Sequence, residues 1–364
     1  MSNILIIAPI LGNGGIQSWT KRFLKTFGNE EFHLTHVNVG QRRSTKGGGQ
    51  YKIIRSFNGF LDLIDVYKET KETLKSGHFH IMHTMTSGSL GIVRDFFLNR
   101  LCHKHGVKTV MHCHFGCIKE EFEDNGFWGW LFRKTMREFD HVWVLDSRSE
   151  KAINEDSQMQ GKVFLTPNSI EVPKDCDLSP KAYKRVAFVG NLIPSKGLYE
   201  LVEAVVKYEK NIELLIVGPG RESVVKTIEE IAGNKLNNQI KILGKLPNEE
   251  AVELMKTVDI IALPTYFPAE AFPISILEAM SRGKLVISCP KAAIPDMLTA
   301  LDGSKCGILA REKSIDDIID ALRWCQENKE EADKLCKKAY EKVYTAYRME
   351  VIYELYRNLY RKLL

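Results

Sequence analysis

The feature that most constrains the fold of this 364-residue chain is a repeated alternation. Apolar runs of four to eight residues alternate with longer stretches whose apolar residues recur at helical spacing. Short apolar runs bounded by turn residues read as buried strands, and strands alternating with helices imply βαβ units and parallel sheets. The pattern occurs as two series. The first predicts strands at Ile4–Pro9, His33–Val39, Ile81–His83, Val107–His112 and His141–Leu145. The second predicts Arg185–Val189, Glu213–Val217, Ile240–Ile242, Ile260–Pro264 and Lys284–Ser288. Between them PNSIEVPKDCDLSPKAYK, rich in Pro, Asp and Ser and without periodicity, reads as a linker. The chain is long for one compact core, so two α/β domains are expected.

With 44% apolar and 27% charged residues, the composition is that of a soluble globular protein. The start, MSNILIIAPILGNGG, has no basic n-region and its apolar run ends in glycines, which reads as a first strand rather than a signal peptide. No run approaches the roughly eighteen apolar residues that a membrane span needs. Eight scattered cysteines without disulfide-framework spacing point to reduced thiols and a cytoplasmic setting. The net charge of +5 is carried by residues 1–170, with 22 Lys/Arg against 17 Asp/Glu, while the remainder is balanced. A mildly basic first half suits an anionic partner such as a phospholipid or a diphosphate. It is too weak for nucleic acid, and no nucleic-acid-binding motif accompanies it.

Several motifs fall at strand ends, where α/β sheets bind ligands. Gly12-Asn13-Gly14-Gly15 follows the first strand and opens a helix, so its amides suit either a phosphate or a plain tight turn. Lys196-Gly197 opens a helix after Val189-Gly190-Asn191, and there a lysine can neutralise a phosphate. Val217-Gly218-Pro219-Gly220 lacks the remaining signature of a dinucleotide fingerprint. His112-Cys113-His114 closes a strand; alternation sends both histidines to one side and the cysteine to the other, which disfavours zinc. Asp175-Cys176-Asp177 lies in the linker and reads as solvated charge. The helix around Phe127-Trp128-Gly129-Trp130, continuing through Arg133, Lys134 and Arg137, reads either as a core helix or as an interfacial contact with anionic membrane, assisted by the basic loop Gln41 to Arg55. In PTYFPAEAFPISILEAMSRGKLVIS two carboxylates, Glu270 and Glu278, stand either side of a Phe272-Pro273 helix start.

Together these pieces resemble the retaining glycosyltransferases of family 4, which have the GT-B fold. The likeness is carried by AFVGNLIPSKGLYELVEAV, LLIVGPG, ILGKL, VDIIALPTYFPAEAFPISILEAMSRGKLVIS, AAIPDML and CGILA in order, and more loosely by HIMHTM, the HCH strand end and TPNS. The resemblance implies two Rossmann-like domains with parallel sheets facing across a cleft. Residues 1–168 would be the acceptor-side domain, joined by a C-terminal helix at about 345–364, and residues 169–344 the nucleotide-sugar domain. It implies a nucleotide-diphosphate sugar donor, a UDP-sugar by expectation, carrying a hexose or N-acetylhexosamine. The acceptor would be a saccharide or lipid-linked saccharide of polysaccharide, O-antigen or capsule synthesis. No cofactor and no metal are implied, and the setting is cytoplasmic, with peripheral contact at an anionic membrane face.

Carried onto this chain, Glu278 would bind the ribose hydroxyls and Glu270 would sit by the donor sugar. The amides of Phe272, Ile274 and Ser275 would face sugar or phosphate, and Lys196, aided by Gly14 and Gly15, would neutralise the diphosphate. The catalytic histidine of the first domain maps to His114, with His112 as the alternative. Three departures stand out. Asn191 occupies a donor-site position where the family usually has Arg, with Arg221 as a substitute cation; Ala271 replaces a loop glycine, which predicts strain if that position needs a positive φ; and Ala292-Ala293 replaces a glycine pair. A sugar-nucleotide epimerase and a non-catalytic binding subunit of the same fold are the alternative readings.

Overall fold

The computed structural model describes residues 1–12, 15–40, 52–88, 90–173, 175–208 and 210–364; the side chains of residues 52–57, 60 and 90 are outside the description. The chain divides into two compact units, Met1–Thr166 with Tyr353–Leu364, and Pro167–Ile352.

The first unit is built on a six-stranded parallel sheet of β1 (Ser2–Ala8), β2 (Phe32–Asn38), β3 (Ile81–Thr86), β4 (Lys108–Cys113), β5 (His141–Val144) and β6 (Val163–Leu165). Its order is β2-β1-β3-β4-β5-β6, and every described pairing is parallel. One face packs Leu5, Ile7, Met82, Met111, Cys113, Val142 and Val144 into a single apolar cluster with the helices that follow β3, β4 and β5. The other face is aromatic. There the helix Gly15–Thr26 lays down Trp19 and Phe23, followed by Phe27, one helical turn apart. The C-terminal helix Met349–Leu363 adds Tyr353, Tyr356 and Tyr360 to the same layer, over Trp143 of β5. Each buried ring removes about 150–250 Å² from water, worth about 4–6 kcal/mol as an upper bound. Arg361 seals the helix on the first unit with a bidentate pair to Glu31.

The second unit carries another six-stranded parallel sheet, of β7 (Arg185–Val189), β8 (Glu213–Val217), β9 (Ile240–Gly244), β10 (Ile260–Leu263), β11 (Leu285–Ser288) and β12 (Ile308–Leu309). Its order is β12-β11-β10-β7-β8-β9. That is the doubly wound Rossmann order, in which the winding reverses between β7 and β10. The first sheet has the related order whose reversal lies between β1 and β3.

All ten predicted strands are present, with ends shifted by at most three residues. Sequence reading missed β6 and β12, which at three and two residues are too short to show a pattern. Both are edge strands, held by the sheet rather than by their own propensity.

Candidate functional site

In doubly wound sheets, loops at the strand carboxyl ends part at the reversal and leave a crevice for ligands. In the second unit the reversal lies between β7 and β10, and the predicted residues fall on the loops that follow these strands. After β7 the chain turns through a short 3-10 segment, Pro194–Lys196, and enters the helix Leu198–Lys207. After β10 it runs through Pro264 and Thr265 to Glu270 and enters the helix Ile274–Met280.

Two backbone features bring these loops together. The amide of Tyr266 donates to the carbonyl of Ser195 at 2.9 Å. Gly197 sits at φ +74° with its α-carbon so close to Pro264 that a Cβ would lie 2.0 Å from the Pro264 carbonyl oxygen. Only glycine tolerates both demands. The result is an ion pair: Lys196 Nζ lies 2.9 Å from Glu270 Oε2, with 15% and 11% of the two side chains exposed. Thr265 Oγ1 donates to the same carboxylate oxygen at 3.4 Å. In this half-buried setting the lysine's charge is compensated but still within reach of an incoming anion.

The helix after this loop is short and opens at Pro273, whose ring has no amide hydrogen to give. Its first described backbone bond runs from the Ile276 amide to the Pro273 carbonyl at 3.1 Å, so the amides of Ile274 and Ser275 lie in the turn where helix donors are otherwise unused. Phe272 is buried with its ring 5.4 Å from Tyr347. Its carbonyl accepts from Nδ2 of buried Asn168 at 3.2 Å. Glu278 is the fifth residue of this helix and is half-buried. Asn191 is exposed at the end of β7, and Arg221 is exposed where the helix Glu222–Ala232 begins after β8.

The strain expected at Ala271 is absent, because Ala271 is not among the residues with positive φ. The left-handed residue is Ala292, at φ +43° and buried. The two departures meet: the Ala293 amide donates to the Ala271 carbonyl at 3.1 Å. The loop after β11 therefore supports the Glu270 loop, and the conformational demand falls on Ala292.

In the first unit Gly15 opens the helix Gly15–Thr26, while Gly14 lies outside the described residues, as does most of the basic loop from Gln41. His112 and His114 point to the same side, with ring centroids 4.0 Å apart and both rings against Trp19. Cys113 belongs to the cluster on the opposite face. Burial lowers the pKa of His114 to about 3, so the ring is neutral near pH 7. Its Nε2 is buried and has no hydrogen-bond partner. Among the described residues, no three His, Cys, Asp or Glu side chains stand close enough to hold a metal ion.

The helix Phe127–Glu138 divides its aromatics. Phe132 is buried, whereas Phe127, Trp128 and Trp130 are 65%, 51% and 49% exposed. Gly129 explains the split, since a Cβ there would lie 2.0 Å from the Asp124 carbonyl oxygen, and the close approach turns the flanking rings outward.

Sequence reading did not single out Thr265, Asn168 or His83. Thr265 and His83 are buried polar residues at or within apolar strands, a pattern that signals a partner. Asn168 stands in TPNS at the start of the second unit, where its composition alone suggests only a turn.

Two units, each built on a six-stranded parallel Rossmann-like sheet, have the architecture of the GT-B fold. Residues 174–342, just under half of the chain, match the family described as glycosyl transferases group 1. An uncharacterized glycosyltransferase of Methanocaldococcus jannaschii (MJ1069) is 25% identical over 259 residues, covering 66% of this chain and 64% of the relative. The chain thus spans just under two thirds of that relative's length. Among solved structures, sucrose-phosphate synthase from Thermosynechococcus elongatus superposes with a TM-score of 0.77 at 15% identity, covering 100% of this chain and 99% of that one. Anabaena Alr3699/HepE in complex with UDP does so at 0.72 and 14% identity, covering 100% of both. At these identities the two structures are similar in fold alone.

Proposed function

We propose that this protein transfers a hexosyl or N-acetylhexosaminyl group, with retention and without a metal ion, from a UDP-sugar to a saccharide or lipid-linked saccharide acceptor. The observation that carries the reading is the ion pair of Lys196 and Glu270 at the reversal between β7 and β10. Anabaena Alr3699/HepE, of similar fold, was solved in complex with UDP, which supports the choice of nucleotide. The second unit, Pro167–Ile352, is read as the donor domain and the first as the acceptor domain.

In this reading the diphosphate takes up Lys196 as a point charge, and the amides of Phe272, Ile274 and Ser275 serve the donor. Glu270, released from part of its contact with Lys196, accepts from sugar hydroxyls, and Glu278 accepts from the ribose. The acceptor oxygen forms its bond to the anomeric carbon on the face from which the diphosphate departs. The bond from that carbon to the leaving oxygen breaks, and the acceptor proton passes to the leaving phosphate. The protein contributes position and charge stabilisation, with neutral His114 offering its unpartnered Nε2 to a hydroxyl.

Thermal-shift measurements against UDP-, GDP- and ADP-sugars test the donor, since stabilisation grows with ligand concentration over affinity. A UDP-sugar is expected to give the largest rise. Glu278→Gln is expected to weaken binding about tenfold, by loss of a charged hydrogen bond. Full donor affinity in that variant sinks the ribose assignment, and turnover abolished by EDTA and restored by a divalent cation sinks metal independence. UDP-sugar conversion without acceptor points instead to an epimerase. Donor binding with neither hydrolysis nor transfer points to a binding subunit.

A lipid-linked acceptor is favoured by exposed Phe127, Trp128 and Trp130, with the Lys134 ammonium 5.0 Å from the Trp130 ring centre. Aromatic rings beside basic side chains suit the headgroup region of an anionic bilayer. Co-sedimentation with phosphatidylglycerol vesicles, lost in a Trp128→Ser, Trp130→Ser variant, is the expected result; equal sedimentation of both proteins removes this reading.

A further inference from the structure

Beneath His114 lies a line of buried polar groups that the proposed reaction does not use. His83 of β3 and His112 of β4 share the aromatic face of the first sheet. His83 Nδ1 is hydrogen-bonded to the hydroxyl of Tyr360 on the C-terminal helix. His83 Nε2 lies 3.2 Å from His112 Nδ1, and His112 Nε2 lies 3.4 Å from Thr166 Oγ1. Thr166 Oγ1 in turn donates to the Val144 carbonyl at 3.3 Å. All four residues are buried.

Burial holds both imidazoles neutral: the pKa of His83 falls to about 3 and that of His112 is well below its usual value. A neutral ring has one N–H and one acceptor nitrogen. Thr166 uses its single hydroxyl hydrogen toward Val144, so it accepts from His112 Nε2–H. His112 Nδ1 then accepts from His83 Nε2–H, and His83 Nδ1 accepts from the Tyr360 hydroxyl. This direction gives every donor in the line an acceptor. The reverse direction turns the Thr166 hydroxyl away from Val144 and strips the Tyr360 hydroxyl of its use.

We infer that Tyr360, His83 and Thr166 are positioning residues that lock His112 as its Nε2–H tautomer and thereby fix the ring against which His114 packs. The effect on His114 passes through ring contact, with the centroids 4.0 Å apart and Trp19 against both rings. The C-terminal helix, sewn to the first unit through Tyr360, thus sets the orientation of a histidine 246 residues earlier in the chain. The inference rests on the glycosyl-transfer reading only for the use made of His114; the tautomers stand independently of it.

The test combines 15N-histidine NMR of the full chain with kinetics. In the wild type, His83 and His112 are expected to show pyridine-like Nδ1 and protonated Nε2; an Nδ1–H tautomer at either ring overturns the assignment. Tyr360→Phe, which keeps the ring, is expected to shift the nitrogen resonances of His83 and, through it, His112. Kinetics use the nucleotide sugar that stabilises the chain most in the UDP-, GDP- and ADP-sugar series. There Tyr360→Phe should lower kcat about fivefold, the equivalent of one neutral hydrogen bond, with donor KM unchanged. Thr166→Val should do the same from the other end. Altered tautomers with unchanged kcat in both variants overturn the positioning role. Absence of turnover in the wild type with every donor refutes the transferase reading and, with it, the role at His114, while the NMR still decides the tautomers.

Discussion

Lys196 Nζ and Glu270 Oε2 meet at 2.9 Å across loops that are separated by three helix–strand units in sequence. The contact depends on Gly197, whose missing side chain lets the two loops close. It places the cation and anion of the predicted donor site in one electrostatic unit, so neither residue is independently mutable.

Replacing Lys196 by Ala leaves Glu270 with an unpaired, mostly buried charge. Because the pair is partly exposed, the expected cost is about 1–2 kcal/mol, below that of a fully buried pair. Urea unfolding measures it, and the Glu270→Gln, Lys196→Ala double variant should recover most of the loss. Nucleotide-sugar stabilisation should be strongly reduced in both proteins, since the loop cation proposed to meet the diphosphate is gone.

Gly197→Ala brings a Cβ to within 2.0 Å of a backbone carbonyl at a residue with φ +74°. Both the clash and the left-handed backbone penalise alanine, so a destabilisation of about 3 kcal/mol is expected. A midpoint in urea within error of the wild type contradicts this close packing of the two loops.

Ala292→Gly is expected to do the opposite. At φ +43° alanine carries a left-handed penalty of about 1–2 kcal/mol, and glycine gives back somewhat less through unfolded-state entropy. A net gain of about 0.5 kcal/mol follows, measurable as a higher thermal midpoint. A lower midpoint shows that the alanine methyl contributes more by packing than its backbone costs.

The buried histidines make stability pH-dependent. His83 and His114 titrate at about 3 when folded and near the ordinary value of 6.5 when unfolded. Between these values the unfolded chain holds more protons, so stability rises with pH and falls as the solution is acidified from about pH 6.5. Each such histidine contributes a slope of at most about 1.4 kcal/mol per pH unit over this window. Unfolding free energies measured between about pH 7 and pH 5 should show the slope, and His114→Gln should reduce it. An unchanged slope in that variant argues against burial of a neutral His114.

Much of the fold was legible because strands of a parallel sheet need short, largely apolar segments bounded by turns, and this chain has ten that were recognised. The strand-end glycines, Lys196 and the two glutamates were legible for a related reason: each stands where a strand hands over to a helix, and the motif order survives in one dimension. Strands β6 and β12 were not, because their few residues take their form from a neighbouring strand. The exposed rings of Phe127, Trp128 and Trp130 were ambiguous, since a helix rich in aromatics and cations has the same sequence whether its rings face a core or solvent.

The amino-acid sequence by itself determined the two α/β series and which residues stand on the loops at the strand ends, because periodicity and local turn chemistry are encoded between near neighbours. Only the tertiary structure decided what those residues touch. It paired Lys196 with Glu270, moved the backbone demand from Ala271 to Ala292, and joined Tyr360 to His83 across 277 positions. Such contacts depend on which strands lie side by side and how closely their loops approach, and no local pattern carries that information.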